Sequence, residues 1–319
     1  MSAQPRIGCI GELLVEFVCS SKNGHHRTAG VYSGPFPSGA PGIFIDQAAR
    51  VGAACIFLGA VGDDAFGQVI LDRLTADGVD TRLVKIVPGV PTGSAFVSYN
   101  DDGSRDFVYN IALSAASHID SDPAVLAALS AFQLDFMHVS GSALGSAGMR
   151  ETIMHLCKSL HLAGVKISFD PNIRKELVSD PSYFDAVKEL MAMTSTFLPS
   201  EEDAAVLFPG ETFDGFAPRL LASGMDHVVL KKGDQGSEAM NRAGEHASCP
   251  AHRVEVKDPT GAGDCFCATF VALIAGKQFS LKQALERANA AGALAVTQVG
   301  PMEGASHLAT IEAFLAAKT

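Results

Sequence analysis

Short apolar runs that end in small or polar residues alternate, along most of this chain, with longer segments of helical periodicity. Few folds satisfy that pattern. RIGCIG (6–11), AACIFLGAVG (53–62), FMHVSG (136–141), VKISFDPN (165–172), TSTFLPS (194–200) and HVVLKKG (227–233) read as buried strands. IDQAARVG (45–52), FGQVILDRLTADGV (66–79), MRETIMHLCKSLHLAG (149–164), YFDAVKELMAM (183–193) and GFAPRLLASG (215–224) read as helices. Strands alternating with helices of this length predict an α/β fold, with a mostly parallel sheet covered by helices on both faces.

Two stretches break the alternation. Residues 13–38 and 90–112 are rich in Val, Phe, Tyr and Gly at period two, as in TGSAFVSYNDDGSRDFVYN with its DDG turn signal. They predict a small separate β sheet covering the site, a lid. The large domain is then 1–12, 39–89 and 113–319. Ligands of such folds sit beyond the carboxyl ends of the strands. The residues to watch are therefore Asp170, Asn172, Ser200, Gly233 and the 258–264 loop.

That loop opens VEVKDPTGAGDCFCATFVALI (254–274), where two glycines and an aspartate precede a long apolar run. A helix starting near Gly261 or Ala262 presents free backbone N–H groups and the positive end of its dipole. Glycines at that point let an anion approach the backbone. The segment lacks the GxxxxGK[ST] of a Walker loop, and Phe266 stands where a dinucleotide fingerprint needs its third glycine. Asp264 inside an anion cradle is electrostatically awkward unless it acts on the substrate. Phosphoryl transfer gives it a role, in which the amides hold the transferring group while the carboxylate takes the proton of the attacking hydroxyl. The plainer alternative is an acidic residue complementing a helix dipole.

Composition narrows the partners. A net charge of −11 argues against nucleic acid and anionic membrane surfaces, which want a basic face. The seven scattered cysteines suggest reduced thiols used for packing, and Cys265 with Cys267 forms only a CxC without a second pair for zinc. The first residues carry no secretory pattern, and no apolar run approaches the ~20 residues of a membrane helix. A cytoplasmic protein is the expectation.

DPTGAGDCFCATF is similar to the carboxyl-terminal signature of the ribokinase-like (PfkB) family of ATP-dependent sugar kinases. PSGAPGIFIDQAARVGAACIFLGAVGDDAFG, SGSAL, SFDPNIR, LPSEEDAAVLF, VVLKKGDQGS and ANAAGALAVTQVGPMEGA extend the resemblance over nearly the whole chain. It implies a three-layer α/β/α sandwich, a β lid over the sugar, and a homodimer paired through that lid. It further implies Asp264 as catalytic base, with Gly261, Ala262 and Gly263 as the anion hole. Ser200, Lys232, Gly233, Gly236 and Asn289 would serve the nucleotide. Glu202 and Asp203, in the motif Ser200-Glu201-Glu202-Asp203, would hold Mg2+ through water. Asp258, Thr260, Ala295 and Gly300 match positions that hold a monovalent cation such as K+ in relatives, although Gln298 departs from the arginine common there.

The same resemblance bears on the sugar. Glu16, Gly39, Asn110 and Arg174 are the expected substrate contacts. Asn110 stands where keto-deoxygluconate kinases carry a lid arginine, and an asparagine cannot neutralise a carboxylate. That favours a neutral ketohexose. FVYNIALSAA, LPSEEDAAVLF and GPMEGA together resemble bacterial tagatose kinases most, which implies D-tagatose first, with 2-keto-3-deoxygluconate and then fructose as alternatives. Family likeness implies the 6-hydroxyl as the acceptor. Ile43 replaces the family's usual asparagine, and Asp46 and Gln47 follow at normally apolar positions, so a sugar contact is expected to be lost or moved there. Outside catalysis, the alternative is a silent sugar or nucleotide sensor. It would be signalled by loss of Asp264 or the glycines, and both are present.

Overall fold

The computed structural model describes residues 4–102, 104–174, 178 and 181–318. Its elements, in chain order, are β1 (Arg6–Ile10), β2 (Leu14–Cys19), β3 (Tyr32–Ser38), α1 (Ala40–Arg50), β4 (Ala54–Gly62), α2 (Ala65–Ala76), β5 (Val79–Val87), β6 (Gly93–Tyr99) and β7 (Arg105–Asn110). Then come α3 (Pro123–Phe132), β8 (Phe136–Ser140), α4 (Ala147–Leu162), β9 (Lys166–Asp170), α5 (Ser182–Met193), β10 (Thr194–Phe197), α6 (Glu201–Leu207), α7 (Phe213–Ala222) and β11 (His227–Lys231). The chain ends with β12 (Ser237–Asn241), β13 (His246–Cys249), α8 (Ala262–Gly276), α9 (Leu281–Ala295) and α10 (Leu308–Ala316).

Nine strands form the large sheet in the order β13-β12-β11-β10-β9-β8-β1-β4-β5. All neighbours from β11 to β5 run parallel, and the antiparallel pairs are β11–β12 and β12–β13 at the edge. Alternating side chains feed two cores, as a sheet buried on both faces requires. Ile7, Cys9, Cys55 and Phe57 pack under α1, α8 and α9. Ile10, Ile56, Leu58, Phe169 and Val228 pack under α3, α4, α5 and α7. This is the expected three-layer α/β/α sandwich. Among the described residues no helix is long and apolar enough to cross a membrane.

β2, β3, β6 and β7 form a second sheet, in the order β3-β2-β6-β7. β2 and β6 run parallel while both outer pairs are antiparallel. Its two faces differ. Glu16, Ala95 and Tyr109 are in register on one face, and Phe17, Phe96 and Val108 on the other. The hairpin β12–β13 has no sequence signal of its own, because SEAMN and HASC are short and mixed in polarity.

Candidate active site

The carboxyl ends of the parallel strands and one face of the small sheet enclose a cleft of about 710 Å³. Asp170, Asn172, Ser200, Gly233, Thr260, Gly261, Gly263 and Asp264 all line it, as do Glu16, Gly39 and Arg174. Strand direction alone explains the gathering, since β9, β10 and β11 run parallel and end side by side.

α8 begins at the cleft. Gly261 is its N-cap in the left-handed conformation, with φ 85°. A Cβ there would also come within 2.5 Å of the Pro301 carbonyl oxygen, so glycine is required twice over. Ala262 lies between the lining residues but does not itself line the cleft. Asp264 sits in the first turn, and its carboxyl is pushed up to about 7, first by burial and then by the charge of Asp170. Lys231 and Arg174 act in the opposite direction.

The cation beside Gly263 is Lys231, which the motif reading passes over. That reading points to Lys232 as the nucleotide-loop lysine, yet Lys232 pairs with Glu238 at 3.0 Å beside the cleft. Lys231 turns inward at the end of β11 and pairs with the buried carboxylate of Asp170. Its Nζ lies 3.7 Å from where a Cβ on Gly263 would be, which puts a positive charge beside the first turn of α8. The Cys267 thiol completes the group, 3.5 Å from Lys231 Nζ and 3.4 Å from Asp170 Oδ2. Cys265 is likewise a buried packing residue.

Across the cleft stand two buried glutamates. Glu16, on β2, accepts a hydrogen bond from Ser38 Oγ at 3.2 Å on one oxygen, and Glu12 accepts one from Ser142 Oγ at 2.7 Å. Their other oxygens, Glu16 Oε1 and Glu12 Oε2, are buried without a partner among the described residues. Burial pushes Glu12 up to about 7 and Glu16 up to about 8. Orphaned acceptors of this kind call for a ligand that donates hydrogen bonds. Glu12 escapes the sequence reading because the cleft that buries it is assembled from residues far along the chain, Ser142 among them. Gly39 packs against the backbone of Glu12: with φ 102°, a Cβ there would lie 2.6 Å from the Glu12 carbonyl oxygen.

Several expected contacts are elsewhere. Asn110 does not face the cleft. Side chains alternate along β7, so Arg105, Phe107 and Tyr109 line the cleft, while Asn110 points to the opposite face and donates to Ser94 Oγ at 3.3 Å. Asn110 therefore carries no information about the charge of the sugar, and Arg105 is the cation that this strand presents. Asn289 spends its amide on Ser237 Oγ and on the carbonyls of Cys249 and Pro250, tying α9 to the edge hairpin. Gly236 closes the 232–236 turn by accepting from Lys232 N at 2.8 Å and is not a lining residue.

Asp203 lines the cleft but is largely committed to structure. Its Oδ1 accepts from Ile173 N, and its Oδ2 accepts from Ser200 N and Oγ in the capping box of α6. Glu202 also lines the cleft, next to Glu201, and its carboxylate suits a hydrated magnesium ion better. The monovalent-cation set centres on Asp258, which is fully buried. Its carboxylate accepts from Tyr99 OH, from Thr260 N at 2.9 Å and from Gly300 N at 3.0 Å, all neutral donors. No side-chain cation pairs with it among the described residues. A buried, uncompensated carboxylate fits a bound cation. Ala295 is buried beside Ile43, Cys265, Met302 and Ala305 in a small apolar cluster.

The departures at the start of α1 belong to that same region. Asp46 takes both ends of the Arg73 guanidinium, at 3.2 and 3.1 Å, and Arg73 donates to the Met302 carbonyl at 2.6 Å. Gln47 exchanges hydrogen bonds with Ser306 at 2.9 and 2.8 Å. Asp46 and Gln47 thus clamp the 300–306 turn onto α1, and neither touches the cleft. His25 and His26 bind Asp106 and Tyr32 within the small sheet and do not reach the cleft.

A family model described as pfkB family carbohydrate kinase matches residues 5–308, and the chain belongs to that family. It is 31% identical to the fructokinase of Klebsiella pneumoniae, over 83% of this chain and 87% of that protein. To the 2-dehydro-3-deoxygluconokinase of Bacillus subtilis it is 30% identical, over 97% of this chain and 94% of that one. Among solved structures, an E. coli protein provisionally described as ribokinase II, in complex with ATP and Mg2+, is 39% identical with a TM-score of 0.89, covering 98% and 99% of the two chains. A Vibrio cholerae fructokinase with fructose, ADP and potassium bound is 26% identical with a TM-score of 0.84, covering 99% of each. The chain is a sugar kinase of this family.

Proposed function

We propose that this kinase transfers the γ-phosphoryl of ATP to the 6-hydroxyl of a ketohexose, with D-tagatose as the leading candidate. The observation that carries the reading is the opposition of Asp264, at the anion cradle, to Glu12 and Glu16, whose orphaned oxygens await hydroxyl donors. In this reading the small sheet, 13–38 with 90–112, is a lid on the large domain of 1–12, 39–89 and 113–319. Glu12 and Glu16 hold the ring hydroxyls beneath it. Asp264 accepts the proton of the primary hydroxyl as that oxygen attacks in line. The amides at Gly261 to Gly263 and the Lys231 ammonium stabilise the charge of the group in flight. Lys232, Gly233 and Ser200 border the nucleotide.

Mg2+ bound near Glu202, with Asp203 behind it, would neutralise phosphate charge, and a monovalent cation beside Asp258, Thr260, Ala295 and Gly300 would complete the loop's electrostatics. The seven unpaired thiols and the use of ATP suit the cytoplasm. The apolar outer face of the lid, Phe17, Phe96 and Val108, suits pairing with a second copy of the chain.

A second reading is supported by Arg105 and Arg174, which both line the cleft. Two guanidinium groups can hold a carboxylate, which favours 2-keto-3-deoxygluconate. ADP release with MgATP decides, measured against tagatose, fructose, sorbose, 2-keto-3-deoxygluconate and ribose. Turnover dominated by tagatose supports the first reading. Preference for the sugar acid overturns it in favour of the second, and preference for fructose keeps the ketohexose class while removing tagatose.

A further inference from the structure

Tyr99 ends β6 on the face of the small sheet that looks into the cleft, following Ala95 and Val97 at alternate positions. Opposite it in register stands Arg105, a lining residue. The Tyr99 hydroxyl leaves its own sheet. It donates to Asp258 Oδ1 and lies 3.1 Å from Thr260 Oγ1. The same carboxylate receives Thr260 N, just ahead of the Gly261 turn, and Gly300 N, from the turn that α1 clamps. One buried carboxylate therefore joins the lid, the entrance to the anion cradle and the 300–306 turn.

We propose that Tyr99 is a positioning residue whose hydroxyl transmits the seating of the lid to residues 258–264, setting the Gly261–Gly263 amides when sugar is bound. The inference rests on the reading of this cleft as the kinase site. The strand pairing supplies the lever: β6 pairs with β2, which carries Glu16, and with β7, which carries Arg105, Phe107 and Tyr109. A sugar that draws these strands inward moves Tyr99 with them. Burial and the neighbouring Asp258 charge raise the phenol well above its ordinary value, so the donor keeps its proton at any working pH.

Tyr99→Phe retains the ring and the strand pairing and removes only the hydroxyl. Hydrogen exchange of the segment 258–264 is measured in both proteins, alone and with saturating D-tagatose or D-fructose, beside kcat, sugar KM and melting temperature. Without sugar, exchange in this segment is expected to quicken about fivefold in the variant, the worth of one hydrogen bond. Sugar is expected to slow exchange there in the wild type but no longer in the variant. For a sugar that the wild type turns over, kcat falls about tenfold while KM stays within about twofold, and β6 and β7 remain protected. Unchanged exchange at 258–264, or unchanged kcat, overturns the proposal. So does a loss of protection spread through the lid strands with a matching fall in melting temperature, which is a structural role. If the wild type turns over no sugar, the kinase reading of the cleft fails, while the sugar-free exchange comparison still decides whether the hydroxyl holds the loop.

Discussion

Glu16 shows how a single buried group ties function to stability. Its carboxyl is pushed up to about 8 from an ordinary 4.5, so the folded chain holds a proton that the unfolded chain releases. Stability from this group is complete below the unfolded value and is lost as pH rises through about 8. Glu16→Gln is therefore expected to melt higher, relative to wild type, at about pH 8.5 than near pH 5, and thermal melts across that range check it. Asp264 gives the matching kinetic expectation. In the proposed role of base, a carboxyl raised to about 7 must lose its proton to act, so kcat/KM is expected to fall about tenfold per pH unit below about 7. Asp264→Asn lowers kcat by about 10²–10⁴-fold and abolishes that limb, with the melting temperature nearly unchanged. At this scale the sequence reveals what is local. DPTGAGD holds its glycines, its helix start and its carboxylate within one turn. Glu12, Lys231 and Arg105 are hidden for different reasons. Glu12 is buried in a cleft assembled from residues far along the chain, Ser142 among them. Lys231 is distinguished from Lys232 only by the phase of β11. Asn110 is singled out by its place in a motif, while the alternation of β7 assigns the cleft to its neighbours.

At the scale of elements, the helix α8 depends on one backbone conformation. Gly261→Ala must place a Cβ against Pro301 O while keeping φ at 85°. We expect a loss of about 1–3 kcal/mol in denaturant unfolding and a larger fall in kcat than in sugar affinity, because the amides move with the turn. The α1 clamp makes a second prediction. Asp46→Ala leaves the largely buried Arg73 with Asp77 at 2.8 Å and Glu303 at 3.6 Å, and Arg50 with Asp77 at 2.9 Å. Because both arginines keep acidic partners, the loss is expected to fall below the ~3–5 kcal/mol of a fully uncompensated buried charge, read as a lower urea midpoint. The parallel strands and their helices are legible in the sequence because each is a long, regular run. The edge hairpin is not, since short polar strands lack a periodic signal. The capping use of Asp203 is legible only as the Ser200-x-x-Asp203 spacing, which also fits a metal-binding reading.

For the whole molecule, the alternation of strands and helices is enough to predict two covered faces and a cleft at the strand ends. Assembly is a separate matter, carried by resemblance and not by pattern. Val108 is 44% exposed on the outer face of the small sheet, near Phe17 and Phe96. Val108→Asp is expected to leave each subunit folded and to convert a dimer into a monomer in sedimentation analysis. A monomeric wild type would remove the idea. The clamp on α1 also reaches beyond stability. Asp46, Gln47 and Arg73 lie early in the chain and the turn they grip lies near its end, so exchanging any one of them singly for an apolar residue takes a hydrogen-bond partner away from a largely buried group. Descent should therefore carry these positions as a block, kept together or replaced together, and a close relative with an apolar residue at 46 should also have given up the arginine at 73.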